Sequence, residues 1–178
     1  TVVATIVSNP ALDRFLNGCG IQCVRSAVGE RYVIEEMKKH GANVGGEESG
    51  HMVLSDYGKT GDAMTAALVL AQGLLKSGKK MSELFPLFEP MLRLRADSKF
   101  ATKEAMLAAF ELPEFQAAIH QAEQTVAGKG KVLVRKSGTE PKIQVWVWSD
   151  DRNLAEKVND EVSSVLEKAA GFETKKLV

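Results

Sequence analysis

The chain has 178 residues, of which 44% are hydrophobic and 26% charged, and its 23 basic and 23 acidic side chains leave no formal net charge. That composition suits a globular protein and excludes disordered, collagen-like and coiled-coil classes. Balanced charge argues against nucleic acid or an anionic membrane surface as the main partner, and the longest apolar stretch, Ala63 to Leu75, is broken by Thr65, Gln72 and Gly73 and is too short to span a bilayer.

The opening run, Thr1 to Val7, reads as a strand, and the absence of an initiator Met ahead of it suggests a fragment. There is no basic n-region followed by an apolar h-region. Cys19 and Cys23 have no second pair with which to hold zinc. The expectation is therefore a cytoplasmic protein with two reduced thiols.

Asn9-Pro10 begins a short helix that runs through Leu16 and stops near Gly18 and Gly20. Ile21 to Val24 reads as a strand and Glu30 to Lys39 as a helix ended by Gly41. Ala42 to Val44 and His51 to Leu54 read as strands around a Gly-rich bend. Asp62 caps a helix to Lys76, stopped by Ser77-Gly78. That helix is apolar on nearly every face, which predicts burial on several sides. Strands alternating with helices predict an α/β domain over residues 1–90 with a mostly parallel sheet.

The pattern changes near residue 90. A short helix starts at Ser82, punctuated by Pro86 and Pro90, and Leu92 to Ala96 is a strand or a linker. Helices follow at Thr102 to Phe110 and Pro113 to Val126, then strands at Lys131 to Arg135 and Lys142 to Trp148. The last helix, about Asp150 to Ala170, puts Leu154, Val158, Val162, Val165, Leu166 and Ala169 on one stripe. Residues 91–170 thus read as a small α+β domain with an antiparallel sheet and helices on one face. Residues 171–178 read as a frayed polar tail.

Two loops could carry chemistry. Gly45-Gly46-Glu47-Glu48-Ser49-Gly50-His51 places two carboxylates, a hydroxyl and an imidazole among glycines that permit close approach of a ligand. Such groups suit sugar hydroxyls; a hairpin loop with solvated glutamates fits the same composition. A metal site from Glu47, Glu48 and His51 lacks a further ligand set. Arg135-Lys136-Ser137-Gly138-Thr139-Glu140-Pro141 joins the two strong strands. Arg135 can fork onto a phosphate, Ser137 and Thr139 can donate, and Gly138 lets backbone N–H groups converge. A solvated connection is the plain alternative, but seven polar residues exceed a minimal turn.

Other features carry less. Gly58-Lys59-Thr60 has Val53 where a P-loop needs its first glycine. Ser8-Asn9-Pro10 precedes a helix and reads as a cap. No G-x-S-x-G elbow occurs. His40 and His120 read as surface residues, and Trp146 with Trp148 as packing on one strand face.

Both loops in this order resemble the α-D-phosphohexomutase superfamily, over residues 1 to about 170. With Val28-Gly29-Glu30-Arg31-Tyr32-Val33 they are most similar to its phosphoglucosamine mutase branch, which makes glucosamine 1-phosphate for cell-wall sugar nucleotides. Glu48 is also at home in the phosphomannomutase/phosphoglucomutase branch. The resemblance implies four domains in the whole enzyme: a phosphoserine domain, a domain with an Asp-rich magnesium loop, a sugar-recognition domain and a phosphate-recognition domain. This chain resembles an incomplete three-layer third domain plus the fourth. It implies that Glu47 and Ser49 meet sugar hydroxyls with His51 beside them. Arg135, Ser137, Gly138 and Thr139 would hold the phosphate that is not transferred, with Lys136 and Gln144 as further candidates; relatives often carry arginine where Gln144 stands.

The implied reaction is phosphoryl transfer from phosphoserine to the sugar, reorientation of the bisphosphate, and return transfer. The implied partners are a phosphorylated hexosamine or hexose, a bisphosphosugar activator and the amino-terminal domains, with no nucleic acid and no membrane. Magnesium is expected outside this chain, which is expected to hold no catalytic residue and no metal ligand. A non-catalytic phosphosugar-binding module is the alternative. A nucleic-acid-binding domain using Lys131, Arg135, Lys136 and Lys142 is disfavoured by the neutral charge.

Overall fold

Val2–Thr5 forms β1, the centre of the first sheet. The computed structural model describes residues 1–85, 87–170 and 175–177, divided into two compact units, Thr1–Pro90 and Met91–Val178. After β1 come α1 (Ala11–Gly18), β2 (Cys23–Ser26), α2 (Glu30–His40), β3 (Val44–Gly46) and β4 (Met52–Leu54). Helices α3 (Ala63–Ser77) and α4 (Met81–Leu84) complete the first unit. The strand order is β2-β1-β3-β4, with β1 parallel to β2 and β3, and β4 antiparallel to β3.

Strands β2 and β3 each begin two residues later than the sequence predicts, for one reason. Ile21 donates its N–H to the Leu16 carbonyl at 2.8 Å, and Ala42 donates to the Met37 carbonyl at 2.9 Å. In each case the preceding glycine is left-handed, Gly20 at φ 70° and Gly41 at φ 61°. Both apolar residues therefore close a helix C-terminus in a Schellman-type motif and do not start a strand. Ala42 then joins Val3, Val33, Met37 and Val53 in the core of this unit.

Helix α3 differs from its expected burial. Asp62 caps it by accepting the Thr65 N–H at 2.9 Å. Ala66 is buried, yet Leu68 is 64% and Leu75 82% exposed. The helix packs against β4, a strand of three residues. So short a strand covers one stripe of a helix that is apolar all round.

The second unit runs β5 (Leu92–Lys99), α5 (Lys103–Phe110), α6 (Pro113–Val126), β6 (Gly130–Lys136), β7 (Lys142–Ser149), α7 (Arg152–Ala170) and β8 (Lys175–Leu177). Its sheet is antiparallel throughout, in the order β6-β7-β5-β8. Leu92 to Ala96 is therefore strand, not linker. Part of the expected tail is ordered too: Lys175–Leu177 pairs with Arg95 to Asp97 and satisfies backbone groups on the outer edge of β5. The rest of that tail, residues 171–174 and 178, lies outside the described residues, as do Pro86 and the Ala169 side chain.

Strand alternation splits this sheet into two faces. Leu94, Ala96, Val132, Ile143, Val145 and Val147 meet Met106, Phe115, Val126, Val158, Val162 and Leu166 from the helices. The other face carries Arg95 and Asp97 on β5, Gln144, Trp146 and Trp148 on β7, and Arg135 on β6. The two indoles stack at 5.7 Å, with the Arg93 and Arg95 guanidinium groups 5.2 and 4.8 Å from the Trp146 ring centre. Both tryptophans are buried. Among the described residues, no helix is long and apolar enough to cross a membrane.

Candidate functional site

The hairpin between β3 and β4 builds the first candidate site. Glu47 donates its N–H to the His51 carbonyl at 2.9 Å, Gly50 donates to the Glu47 carbonyl at 3.1 Å, and Gly50 takes φ 99°. The Glu47 side chain is 10% exposed, and its Oε1 accepts the Gly29 N–H at 2.9 Å. Its Oε2 lies 3.6 Å from His51 Nδ1, which lies 3.1 Å from Ser49 Oγ. The structure thus brings Glu47, Ser49 and His51 into one cluster. Glu47 also ties the hairpin to the residue ahead of α2, where Gly29 takes φ 127°. One carboxylate oxygen is occupied by that tie, and lone pairs remain on both oxygens for further donors.

Of the three glycines expected to admit a ligand, Gly45 has another purpose. It is not left-handed. A Cβ there would lie 2.5 Å from Met37 Sδ and 2.6 Å from Val33 Cγ1, so its bare backbone lets α2 sit on the sheet. On the opposite face of β1 and β3, an apolar cleft of about 340 Å³ is lined by Val2, Ala4, Leu12, Val44, Met52 and Phe88, with Glu47 and His51 also on its wall.

The loop between β6 and β7 builds the second candidate. The Ser137 N–H bonds the Lys142 carbonyl at 2.9 Å, and Ser137 Oγ accepts the Thr139 and Glu140 N–H groups at 3.4 and 3.3 Å. These are long bonds, so both amides can be redirected to a stronger acceptor. Gly138 has open space around it. Arg135 is half-buried, and its guanidinium has no hydrogen bond or ion pair among the described residues. Lys136, one residue on, points to the opposite face: its Nζ lies 4.3 Å from the Phe110 ring centre and 3.8 Å from Glu111 Oε1. Strand alternation parts it from Arg135. Gln144 is paired with Arg135 on one side and Asp97 on the other, and is 7% exposed.

Three charged residues outside the two motifs form an array that reaches this loop at Glu140. Arg95 grips Asp97 with two bonds of 2.7 Å. Lys142 Nζ lies 3.2 Å from Asp97 Oδ2 and 2.6 Å from Glu140 Oε2. Burial raises the Asp97 pKa, but hydrogen bonds from Arg95 and Lys142 outweigh it and hold the carboxyl below its ordinary value. The hydrogen bond and charge of Lys142 lower Glu140, and Glu140 raises Lys142 in turn. The sequence signal for this group is the alternation Arg93, Arg95, Asp97 on a strand, which needs the β5–β7 register to become a contact.

Residues 1–91 match the profile of a family described as phosphoglucomutase/phosphomannomutase, alpha/beta/alpha domain III. Residues 91–165 match the profile described as phosphoglucomutase/phosphomannomutase, C-terminal domain. Phosphoglucosamine mutase of Paramagnetospirillum magneticum is 43% identical over 170 residues, which are 96% of this chain and 38% of that protein. The enzyme of the same name from Ruegeria sp. is 45% identical over 168 residues, 94% of this chain and 37% of that protein. The chain thus spans less than two-fifths of the length of these curated relatives. Among solved structures, an Aspergillus fumigatus N-acetylphosphoglucosamine mutase aligns at TM-score 0.78 and 17% identity, covering 95% of this chain and 38% of its own. The same organism's enzyme in complex with GlcNAc-6P and magnesium aligns at TM-score 0.74 and 16% identity, covering 95% and 39%. These two likenesses show the fold. By its matches to both profiles, the chain belongs to the phosphoglucomutase/phosphomannomutase family.

Proposed function

We propose that this chain is the recognition part of a cytoplasmic phosphoglucosamine mutase, which interconverts glucosamine 6-phosphate and glucosamine 1-phosphate through a bisphosphate. The observation that carries the proposal is Arg135. Its guanidinium is half-buried at a strand end and has no acceptor among the described residues, whereas the other two cations of the loop, Lys136 and Lys142, are paired. A planar fork left without an acceptor suits the two oxygens of a phosphate. Ser137, Thr139 and the Gly138 backbone complete the cradle. Glu47 and Ser49 accept and donate to sugar hydroxyls, with His51 adding a further polar nitrogen.

The phosphate held by Arg135 is the one that does not move, so the contact works in ground and transition states alike and lowers KM more than it raises kcat. The proposed serine phosphate and magnesium site fall in the part of the relatives that this chain does not span, and so do the amino-terminal domains it would work with. Magnesium, where bound, supplies charge neutralisation; among the described residues no group of three His, Cys, Asp or Glu side chains forms to hold it. The test is titration of the chain with glucosamine 6-phosphate while following the amide signals of residues 137–139. Saturable shifts that vanish in Arg135→Ala support the proposal, and an Arg135→Ala chain that binds as tightly as the wild type overturns it.

A further inference from the structure

We propose that Lys142 sets the phosphate affinity of the loop by cancelling the Glu140 carboxylate, and that Asp97, gripped by Arg95, holds Lys142 in place to do so. The inference rests on the reading of this loop as a phosphate holder. Glu140 presents a problem that any such loop must solve. Its carboxylate is part of the loop, two residues from Gly138, and 51% exposed. An anion beside a bound phosphate dianion repels it.

The geometry provides the answer. Lys142 Nζ sits 2.6 Å from Glu140 Oε2, yet the Lys142 side chain is only 14% exposed. A lysine tied to a surface carboxylate alone would swing with it. This one is also held from the sheet side by Asp97 at 3.2 Å, whose own side chain is 8% exposed. Arg95 fixes Asp97 through two bonds of 2.7 Å and rests on the Trp146 ring. Signs alternate along the array: Arg95 positive, Asp97 negative, Lys142 positive, Glu140 negative. Its charges cancel, and among the described residues Arg135 is left without an acceptor. Lys99, opposite Lys142 in the β5–β7 ladder, adds positive potential at Glu140, while Asp97 opposes it. Lysine here is a positioning residue, acting on the phosphate through Glu140 and not by touching it.

Four variants of the chain test this: Lys142→Gln, Glu140→Gln, the double variant, and Lys142→Arg. Each is titrated with inorganic phosphate and with glucosamine 6-phosphate at neutral pH, following the Gly138 and Thr139 amide signals. Lys142→Gln should bind roughly twofold to fivefold more weakly, the scale of one partly exposed charge pair. The double variant should recover wild-type affinity, because the carboxylate that needed cancelling is gone. Lys142→Arg should keep it. A double variant as weak as Lys142→Gln overturns the inference in favour of direct or structural roles for Lys142, and an unaffected Lys142→Gln also overturns it.

The pairing has its own readout. The pH midpoint of the Glu140 side-chain carboxyl carbon should rise in Lys142→Gln, and an unmoved midpoint removes the pairing even if phosphate binding changes. A wild-type chain that binds neither anion, with that midpoint still rising, overturns the phosphate reading and this inference's consequence for affinity while leaving the pairing standing.

Discussion

Gly45→Ala tests the packing that positions the Glu47 hairpin. A methyl group at Gly45 would meet Met37 Sδ at 2.5 Å and Val33 Cγ1 at 2.6 Å, both well inside van der Waals contact. The methionine tip can rotate away, but Val33 is fully buried and β-branched, with little rotamer freedom in α2. The helix must therefore lift from β3 or the core must strain, an overpacking cost of about 1–3 kcal/mol. For a unit of this size each kcal/mol lowers Tm by roughly 4–8 °C. Thermal and urea unfolding followed by far-ultraviolet circular dichroism would measure it. Trp146 and Trp148 both lie in the second unit, so their fluorescence reports on that unit alone. Two controls grade the effect. At Gly46 the added carbon would meet only the His51 carbonyl oxygen, at 3.3 Å, and at Gly138 nothing lies within 4 Å. Stability should fall in the order Gly138→Ala, Gly46→Ala, Gly45→Ala. A Gly45→Ala chain as stable as Gly138→Ala would refute the close approach of α2 and return Gly45 to the role of admitting a ligand.

Glu47→Ala should destabilise the first unit by about 1.5–3 kcal/mol, because it strips the Gly29 N–H of a charged acceptor; Glu48→Ala should cost less in a parallel urea titration and should weaken glucosamine 6-phosphate binding less. Arg135→Lys should lose most of what Arg135→Ala loses in phosphosugar affinity, since lysine cannot copy the fork, and calorimetric titration of both variants would decide it. The isolated chain should give background rates in a coupled assay with glucosamine 6-phosphate and its bisphosphate; turnover by this chain alone would refute its assignment as the recognition part. The Asp97 carboxyl is held below its ordinary value when folded, so its share of stability is present above about pH 4 and is lost as pH falls through the lower folded value; Asp97→Asn should flatten acid unfolding over that range.

Much of the fold was legible because hydrophobic period and end signals agreed. Asp62 as a cap, Gly41 and Gly78 as left-handed stops, and the Val158, Val162, Leu166 stripe of α7 all follow from local chemistry. The misplaced strand starts have a local cause too: an apolar residue after a left-handed glycine satisfies both a strand pattern and a helix-closing motif, and only the hydrogen bond to the Leu16 or Met37 carbonyl separates them. The exposure of α3 was not legible, because apolar composition records what a helix can bury and not what is present to cover it. Nor could the edge pairing of Lys175–Leu177 be read from a polar sequence, since an edge strand is recruited by unpaired backbone groups rather than by its own side chains.

The site divides along the same line. Glu47, Ser49 and His51 lie within five residues, so one hairpin is enough to gather them, and sequence proximity was a sound guide. Arg135 and Lys136 are closer still in sequence, yet alternation along β6 sends one to the face of Gln144 and the other to Phe110 and Glu111. Asp97 stands 45 residues before Lys142 and reaches its ammonium only because β5 and β7 are neighbours in register. What a motif can reveal is a group that would touch a ligand. The residues that decide whether such a group is free to do so are assembled by strand pairing: Glu140 is tied back by Lys142, Lys142 is steadied by Asp97, and Arg135 is left with no acceptor of its own among the described residues.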